Sequence, residues 1–329
     1  MTPNVGLLDQ RLAVEWVRDN IQGFGGSTSK IVIIGQSSGS VAVDYWSYAY
    51  VEDPIVSGLI SHSGNVFSFP INSNELAEQH WYNASAYLGC GSSGDVLPCM
   101  RSQNITAIKA AAGKVNPPPD TSQARSQPVF QPTPDNVTVF ADYVPLSYGG
   151  QFAKLPYLNG NNDNEAGYYK IPAYAQNVTL NASSWDEFNL EDFTCPTSTE
   201  SDNRAAHGVP TWRFRYFADW DNLRLYTNPS SGAYHGSDLE MVLGVSQDVS
   251  GLPESGPEMQ LQAYMMRAWA TFADDPVNGL TKEIGWPTYN SGEATLVRLG
   301  FNNSPCADFT LPSTYDSPCS SLNLSFYGL

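Results

Sequence analysis

The sequence of 329 residues is poor in basic side chains and contains no long apolar run. Lysine and arginine together number 16 against 33 aspartates and glutamates, which gives a formal net charge of −17. A surface of that sign repels nucleic acid and anionic membranes. The longest apolar runs, such as residues 31–34, are far shorter than the roughly 20 residues that a transmembrane helix needs. We therefore expect no nucleic-acid partner and no stable membrane insertion.

Histidine and clustered cysteine are scarce as well. The chain has 4 histidines and 5 cysteines, without a Cys-x-x-Cys pair or a His-rich cluster. Structural zinc sites are built from such clusters. The sequence therefore predicts no metal site, and nothing in it implies another cofactor.

Seven Asn-x-Ser/Thr sequons indicate a glycosylated, secreted protein, although no signal peptide is visible at Met1. The sequons begin at Asn83, Asn104, Asn136, Asn177, Asn181, Asn302 and Asn323.

Disulfides are the favoured state of the cysteines in an exported chain. Cys90 and Cys99 flank the Gly/Ser-rich loop GCGSSGDVLPC, which can close on itself. We expect that pair, and we take Cys306 with Cys319 as the second pair, which leaves Cys195 unpaired. The odd number of cysteines is also a hint that the chain is incomplete.

Helical and strand-like segments alternate along the chain. Helices are predicted at residues 5–21, directly after Ser37 and at 259–272. Short strands are predicted at 31–34, 58–62, near 160 and at 211–218, the first of them as a fully buried strand. The stretch after Trp286 is predicted to be loop-rich. This alternation predicts a parallel α/β sheet in one domain that spans residues 1–329.

The pentapeptide Gly35-Gln36-Ser37-Ser38-Gly39 is the only Gly-x-Ser-x-Gly in the chain. It lies between a predicted buried strand and a predicted helix, where a sharp turn exposes the serine hydroxyl. Small residues two before and two after the serine let the chain fold back tightly. The Ser38 N–H, at the helix start, is then placed to bind a developing oxyanion. The motif predicts Ser37 as a nucleophile, and a plain Gly/Ser turn is the alternative.

A serine nucleophile needs a base, and all four histidines follow Ser37. The order in an α/β-hydrolase is serine, acid, histidine. His62 and His80 leave little room for an intervening acid and core strands. His207 lies at a predicted helix end. His235 lies in a Gly-flanked loop, and loops at a sheet edge often carry catalytic side chains. We favour His235, with a solvated loop histidine as the alternative.

The acid is ambiguous among 33 carboxylates. Glu165 follows a predicted strand and lies in the Gly/Asn-rich segment GNNDNEAGYY, with Asp163 as a competitor. Most loop carboxylates are only solvated, so the residues alone leave this choice open.

A series of segments between residues 4 and 289 occurs in an order shared with a known family. These segments are NVGLLDQRLAVEWVRDNI with the FGG after it, GQSSGS, SHSGN, the loop between Cys90 and Cys99, NDNEAGYY, GVPTWRFRYF, AYHGSDLEMVLG and WPTY. They resemble the type-B carboxylesterase family, which includes cholinesterases and the larger fungal lipases.

The resemblance implies an α/β-hydrolase fold, a mostly parallel sheet with helices on both faces. It implies Ser37 as nucleophile, Glu165 as orienting acid and His235 as general base, and it supports a disulfide between Cys90 and Cys99. The implied reaction is hydrolysis of a carboxylic ester, of a small molecule or a lipid, through an acyl-enzyme and without a metal or cofactor.

Two features depart from the family's pattern. Gln36 stands where the family often has glutamate, which removes a negative charge beside the nucleophile. The family's early strands and its His-Gly-Gly-type oxyanion loop have no counterpart in the sequence, so we expect a sheet that lacks its N-terminal strands. The alternative function is a catalytically silent, cholinesterase-like binding domain or an inactive fragment.

Overall fold

The computed structural model describes residues 3–117, 124–125 and 127–321. The strands are β1 (Val32–Gln36), β2 (Gly58–His62), β3 (Tyr157–Asn162), β4 (Thr211–Tyr216), β5 (Leu296–Leu299) and β6 (Asp308–Thr310). The α-helices are α1 (Val5–Asn20), α2 (Ser38–Ala49), α3 (Asn74–Tyr87), α4 (Leu97–Ser102), α5 (Ile105–Ala112), α6 (Val144–Tyr148), α7 (Ala166–Ala175), α8 (Ala182–Asn189), α9 (Cys195–Ala206), α10 (Ser237–Leu243), α11 (Ser246–Ser250), α12 (Gly256–Asp274) and α13 (Ser313–Asp316). Shorter 3₁₀ and π turns are Ile21–Phe24, Leu190–Thr194, Leu280–Ile284, Phe301–Asn303 and Ser317–Ser321. None of the helices in the described ranges is long and apolar enough to cross a membrane.

The strands form a six-stranded sheet in the order β1 to β6. The first five strands are parallel and pair in chain order, whereas β6 runs antiparallel to β5. Every connection between parallel strands contains at least one helix, because the chain must cross back before it can re-enter the sheet in the same direction. The predicted mostly parallel α/β class is confirmed. The carboxyl ends of these strands meet at one edge of the sheet, so residues that follow different strands are brought together there.

The central strands are buried on both faces. All residues of β2, β3 and β4 are buried, as expected for parallel strands that are covered on either side. The prediction of a fully buried strand at residues 31–34 is wrong, since Ile34 is 46% exposed. The reason is that β1 is the edge strand of the sheet in the described residues and pairs only with β2.

The stretch after Trp286 is more regular than predicted. Both β5 and β6 lie there, and β5 extends the parallel sheet beside β4. Leu296, Val297 and Leu299 of β5 have no exposed surface. The strand has only four residues, too few for a periodic pattern to identify it.

Two disulfides occur in the described residues. The structure has the predicted bond between Cys90 and Cys99. The second predicted pair is wrong, because Cys319 bonds to Cys195 and Cys306 is exposed and free.

Polar contacts explain the unexpected disulfide, because they hold the C-terminal turn against the start of α9. Asp316 accepts hydrogen bonds from the buried Arg213, at 2.8 Å, and from Ser198, at 2.8 Å. These contacts bring the Cα atoms of Cys195 and Cys319 to 5.5 Å, within the usual range for a disulfide. The two cysteines are 124 residues apart in the sequence, so no local pattern links them.

The sequon asparagines that the structure describes are all exposed, as glycan attachment requires. They are Asn83, Asn104, Asn136, Asn177, Asn181 and Asn302. The sequon at Asn323 lies outside the described residues.

A fully buried ion cluster ties α2 to α9. Arg204 of α9 donates to Asp44 of α2 at 2.7 Å and to Glu200, one turn earlier, at 2.7 Å. None of the three side chains has any exposed surface. One guanidinium thus faces two carboxylates. Burial, together with the charge of Glu200, raises the pKa of Asp44 to about 7.

This cluster predicts that the protein loses stability as the pH rises toward neutrality. The folded-state pKa of Asp44 lies above its unfolded value, so the folded chain holds an extra proton between the two values. That contribution to stability is complete below about pH 4, and it falls by up to about 1.4 kcal/mol per pH unit until the folded pKa is passed. Urea unfolding as a function of pH measures the slope. Asp44→Asn should flatten it and the exposed Asp9→Asn should not; equal slopes in the two variants would contradict this account.

Candidate active site

The turn at Ser37 connects β1 to α2 and has a strained backbone. Ser37 has φ 57° and ψ −125°, a conformation that costs a non-glycine residue about 1–3 kcal/mol. Gly35 is sterically required, because a Cβ there would lie 2.1 Å from the carbonyl oxygen of Gly39. A Cβ on Gly39 would meet nothing within 4 Å, so the tight turn requires a glycine at position 35 but not at position 39. A second glycine that the turn requires is Gly64, since a Cβ there would lie 2.6 Å from the Ser37 carbonyl oxygen.

Glu165 and His235 form a hydrogen-bonded pair at the carboxyl edge of the sheet. The Glu165 side chain has no exposed surface, and its Oε2 lies 2.6 Å from Nδ1 of His235. Its Oε1 accepts from the Ser63 hydroxyl at 2.7 Å and from the Asn162 N–H at 2.6 Å. A carboxylate only accepts, so Nδ1 of His235 carries the ring proton and Nε2 keeps its lone pair. This is the tautomer that a general base requires.

Aromatic rings surround the imidazole of His235. The ring centroids of Tyr169 and Phe193 each lie 5.1 Å from that of His235, and the Tyr168 centroid lies at 6.4 Å. These contacts leave the imidazole little freedom to rotate. Tyr168 and Tyr169 are the last two residues of the segment GNNDNEAGYY that contains Glu165, but no local pattern indicates that they contact His235.

Ser37 and His235 are not hydrogen bonded to each other in the described structure. Nε2 of His235 lies 3.0 Å from the side-chain nitrogen of Gln36, which donates to it. Catalytic hydrogen bonds are often long without substrate and tighten when it binds. A proton from Ser37 could reach Nε2 of His235 only after Gln36 moves off that nitrogen.

The competing residues are engaged elsewhere. Asp163, the alternative acid, pairs with Arg215 at 3.0 Å and is 43% exposed. His207 is exposed and its Nε2 bonds to the carbonyl of Tyr148. His80 bonds to a backbone carbonyl through Nδ1. None of these side chains is hydrogen bonded to the His235–Glu165 pair within the described part of the chain.

Ser38 is the first residue of α2 and is exposed. The first N–H groups of a helix have no partner within it and carry the positive end of the helix dipole. The Ser38 N–H is therefore suited to bind a negative oxygen next to Ser37. In the described residues, no cluster of three or more histidine, cysteine or acidic side chains is arranged to hold a metal.

Comparison with known proteins gives consistent matches. The sequence model of the carboxylesterase family matches residues 1–193 and 188–316. The chain is 32% identical over 313 residues to the chlorogenic acid esterase of Aspergillus niger, an alignment that covers 90% of the chain and 58% of that protein. It is 33% identical over 318 residues to secreted lipase 5 of Gibberella zeae, with 91% of the chain and 57% of the relative covered. For lipase 4 of Diutina rugosa the identity is 32% over 213 residues, with 62% and 37% covered. The chain thus spans less than two thirds of the length of these relatives.

Proposed function

Since this chain belongs to the carboxylesterase family, we propose that the protein hydrolyses carboxylic esters of small molecules or lipids through an acyl-enzyme. The observation that carries the proposal is the buried Glu165 carboxylate on Nδ1 of His235, together with the strained Ser37 turn at the end of β1. The names of the relatives, an esterase and two lipases, support the same reaction class.

In this proposal the proton of the nucleophile passes through His235. The Ser37 hydroxyl attacks the ester carbonyl while Nε2 of His235 takes its proton and then gives it to the leaving alcohol. Water cleaves the acyl-enzyme with the same histidine as base. Glu165 stays ionised, holds the Nδ1–H tautomer and stabilises the imidazolium. The Ser38 N–H stabilises the oxyanion.

We also propose that the protein is secreted and glycosylated and that it forms a single domain. Exposed sequon asparagines, two disulfides and a relative named secreted lipase 5 support a secreted glycoprotein. One continuous sheet supports the treatment of residues 1–329 as a single α/β-hydrolase domain.

The choice of Glu165 as the acid is tested by the isosteric variant Glu165→Gln. We expect kcat for p-nitrophenyl acetate to fall by about 10⁴-fold, because the imidazole loses its tautomer and its counter-charge while the nucleophile stays in place. Asp163→Asn is the matched control, since Asp163 pairs with Arg215 rather than with His235. A greater loss in Asp163→Asn than in Glu165→Gln would transfer the role of the acid to Asp163.

A catalytically silent binding domain is the second candidate function, and the contact between Gln36 and Nε2 of His235 favours it. A silent domain would hydrolyse neither p-nitrophenyl acetate nor p-nitrophenyl butyrate and would not react with a fluorophosphonate. Hydrolysis by the wild type that Ser37→Ala abolishes excludes this candidate.

A further inference from the structure

A second histidine–carboxylate pair, formed by His62 and Asp238, lies in the described residues. His62 is the last residue of β2, and Asp238 lies in α10, three residues after His235. Nδ1 of His62 and Oδ2 of Asp238 are 2.5 Å apart, and neither side chain has any exposed surface. None of the acyl-transfer steps proposed above uses this pair.

The hydrogen bonds of the pair run in one direction. The indole Nε1 of Trp269 lies 2.8 Å from Nε2 of His62. An indole N–H only donates, so Nε2 of His62 accepts and carries no proton. Nδ1 therefore carries the ring proton and donates it to Asp238. Both nitrogens of His62 are occupied by protein groups and its side chain has no exposed surface, so we assign it a geometric role rather than proton transfer with substrate.

His62 is joined to the nucleophile and to the acid through the backbone at the end of β2. The Ser37 N–H donates to the His62 carbonyl at 2.9 Å. The next residue, Ser63, donates through its hydroxyl to Oε1 of Glu165 at 2.7 Å. A displacement of His62 would therefore shift contacts of both Ser37 and Glu165.

Asp238 is joined to the turn that carries His235. Its Oδ1 accepts from the side-chain amide of Asn162 at 3.2 Å, and the same amide donates to the carbonyl of Tyr234 at 2.6 Å. Tyr234 directly precedes His235. The backbone N–H of Asn162 donates to Glu165 at 2.6 Å. The Asp238 carboxylate is thus linked through one residue both to the His235 turn and to its acid partner.

Stability alone does not account for a buried pair of this kind. Transferring two strongly polar groups from water to the protein interior costs free energy. A protein with apolar residues of similar volume at these positions is often at least as stable. Given the contacts above, we propose that His62 and Asp238 are positioning residues that hold the His235 turn against the strand ends carrying Ser37 and Glu165. This inference rests on the proposed ester hydrolysis.

The double variant His62→Phe/Asp238→Leu in the full-length protein separates positioning from stability. It replaces both partners with apolar side chains and leaves no unpaired carboxylate. We expect a folded protein whose melting temperature falls by only a few degrees, because the Trp269 N–H loses its acceptor. We also expect kcat for p-nitrophenyl butyrate to fall about 10- to 100-fold, by analogy with the loss of residues that orient metal ligands, while KM changes less than about twofold. A folded double variant with unchanged kcat overturns the inference.

A single variant keeps the test decisive if the double variant does not fold. Asp238→Asn preserves the shape of the side chain but replaces one accepting oxygen with an NH₂ donor. We expect kcat to fall with KM unchanged. Asp238→Glu keeps the carboxylate and should have a higher kcat than Asp238→Asn. Glu258→Gln is the matched control. Glu258 is a buried carboxylate that accepts hydrogen bonds from Asn222 at 2.8 Å and from Ser246, and neither partner contacts Ser37, Glu165 or His235 through a hydrogen bond in the described residues. If Glu258→Gln lowers kcat as much as Asp238→Asn, the effect reflects general destabilisation and the inference is wrong.

The wild-type assay distinguishes this inference from the function it depends on. A wild-type protein that does not hydrolyse the ester or react with a fluorophosphonate overturns both. An active wild type with active His62 and Asp238 variants overturns the positioning role and leaves the proposed hydrolysis standing.

Discussion

The Ser37→Ala substitution is expected to lower kcat for p-nitrophenyl acetate by about 10⁶-fold, to the level that oxyanion binding alone sustains. The loss is that large because the proposed acyl-enzyme forms on this hydroxyl, so its removal leaves only substrate and oxyanion binding. The strained φ of 57° at Ser37 remains in the variant, so the folded state should be nearly unchanged. Steady-state hydrolysis with purified full-length protein measures the effect, and circular dichroism checks the fold.

Ser38→Ala is the matched control for this experiment. Ser38 is proposed to act only through its backbone N–H, which alanine retains, so kcat should stay within about threefold of the wild type. Residual activity above a few per cent in a correctly folded Ser37→Ala protein would exclude Ser37 as the nucleophile.

His235→Ala is expected to have an effect of similar size, about 10⁶-fold in kcat, since nucleophile and base act as one unit. The variant removes the Nε2 acceptor and leaves the Glu165 carboxylate without its imidazole partner. A decisive feature is non-additivity, because the double variant Ser37→Ala/His235→Ala should be no less active than either single variant. Single-turnover measurements with p-nitrophenyl acetate would report both acylation and deacylation.

His207→Ala is the control for the loss of a histidine. His207 is exposed and bonds to the Tyr148 carbonyl, so its removal should change kcat by less than about twofold. Equal losses in His207→Ala and His235→Ala would mean that the base has been assigned wrongly.

Much of the sheet could be predicted because its strands have simple local patterns. Gly58–His62 and Thr211–Tyr216 are short apolar-rich segments between turns, and the structure has strands β2 and β4 at these places. The long periodic segments likewise correspond to α1 and α12. The burial of residues 31–34 was harder to predict, because a β-branched run has the same appearance in an edge strand as in a central one.

Part of the candidate active site could also be predicted, because two of its residues lie in local sequence motifs. The turn at Ser37 and the loop of His235 have local motifs, and the structure has a hydrogen bond between His235 and Glu165. The partners of Gln36 and His62 have no local signal, because each pairs with a residue more than 170 positions away in the chain. The same limit applies to Cys195, whose partner is set by tertiary contacts of the C-terminal turn. Long-range polar pairs of this kind depend on how helices pack on the sheet, which a single sequence does not encode in any short window.

Covalent labelling identifies the nucleophile of the protein. The full-length protein is treated with a fluorophosphonate, and the modified residue is identified by intact mass and peptide mapping. We expect one phosphonyl group per chain, on Ser37, with labelling lost in Ser37→Ala and strongly slowed in His235→Ala. A protein that hydrolyses p-nitrophenyl esters but carries its label on another residue, or carries none, would show that Ser37 is not the nucleophile.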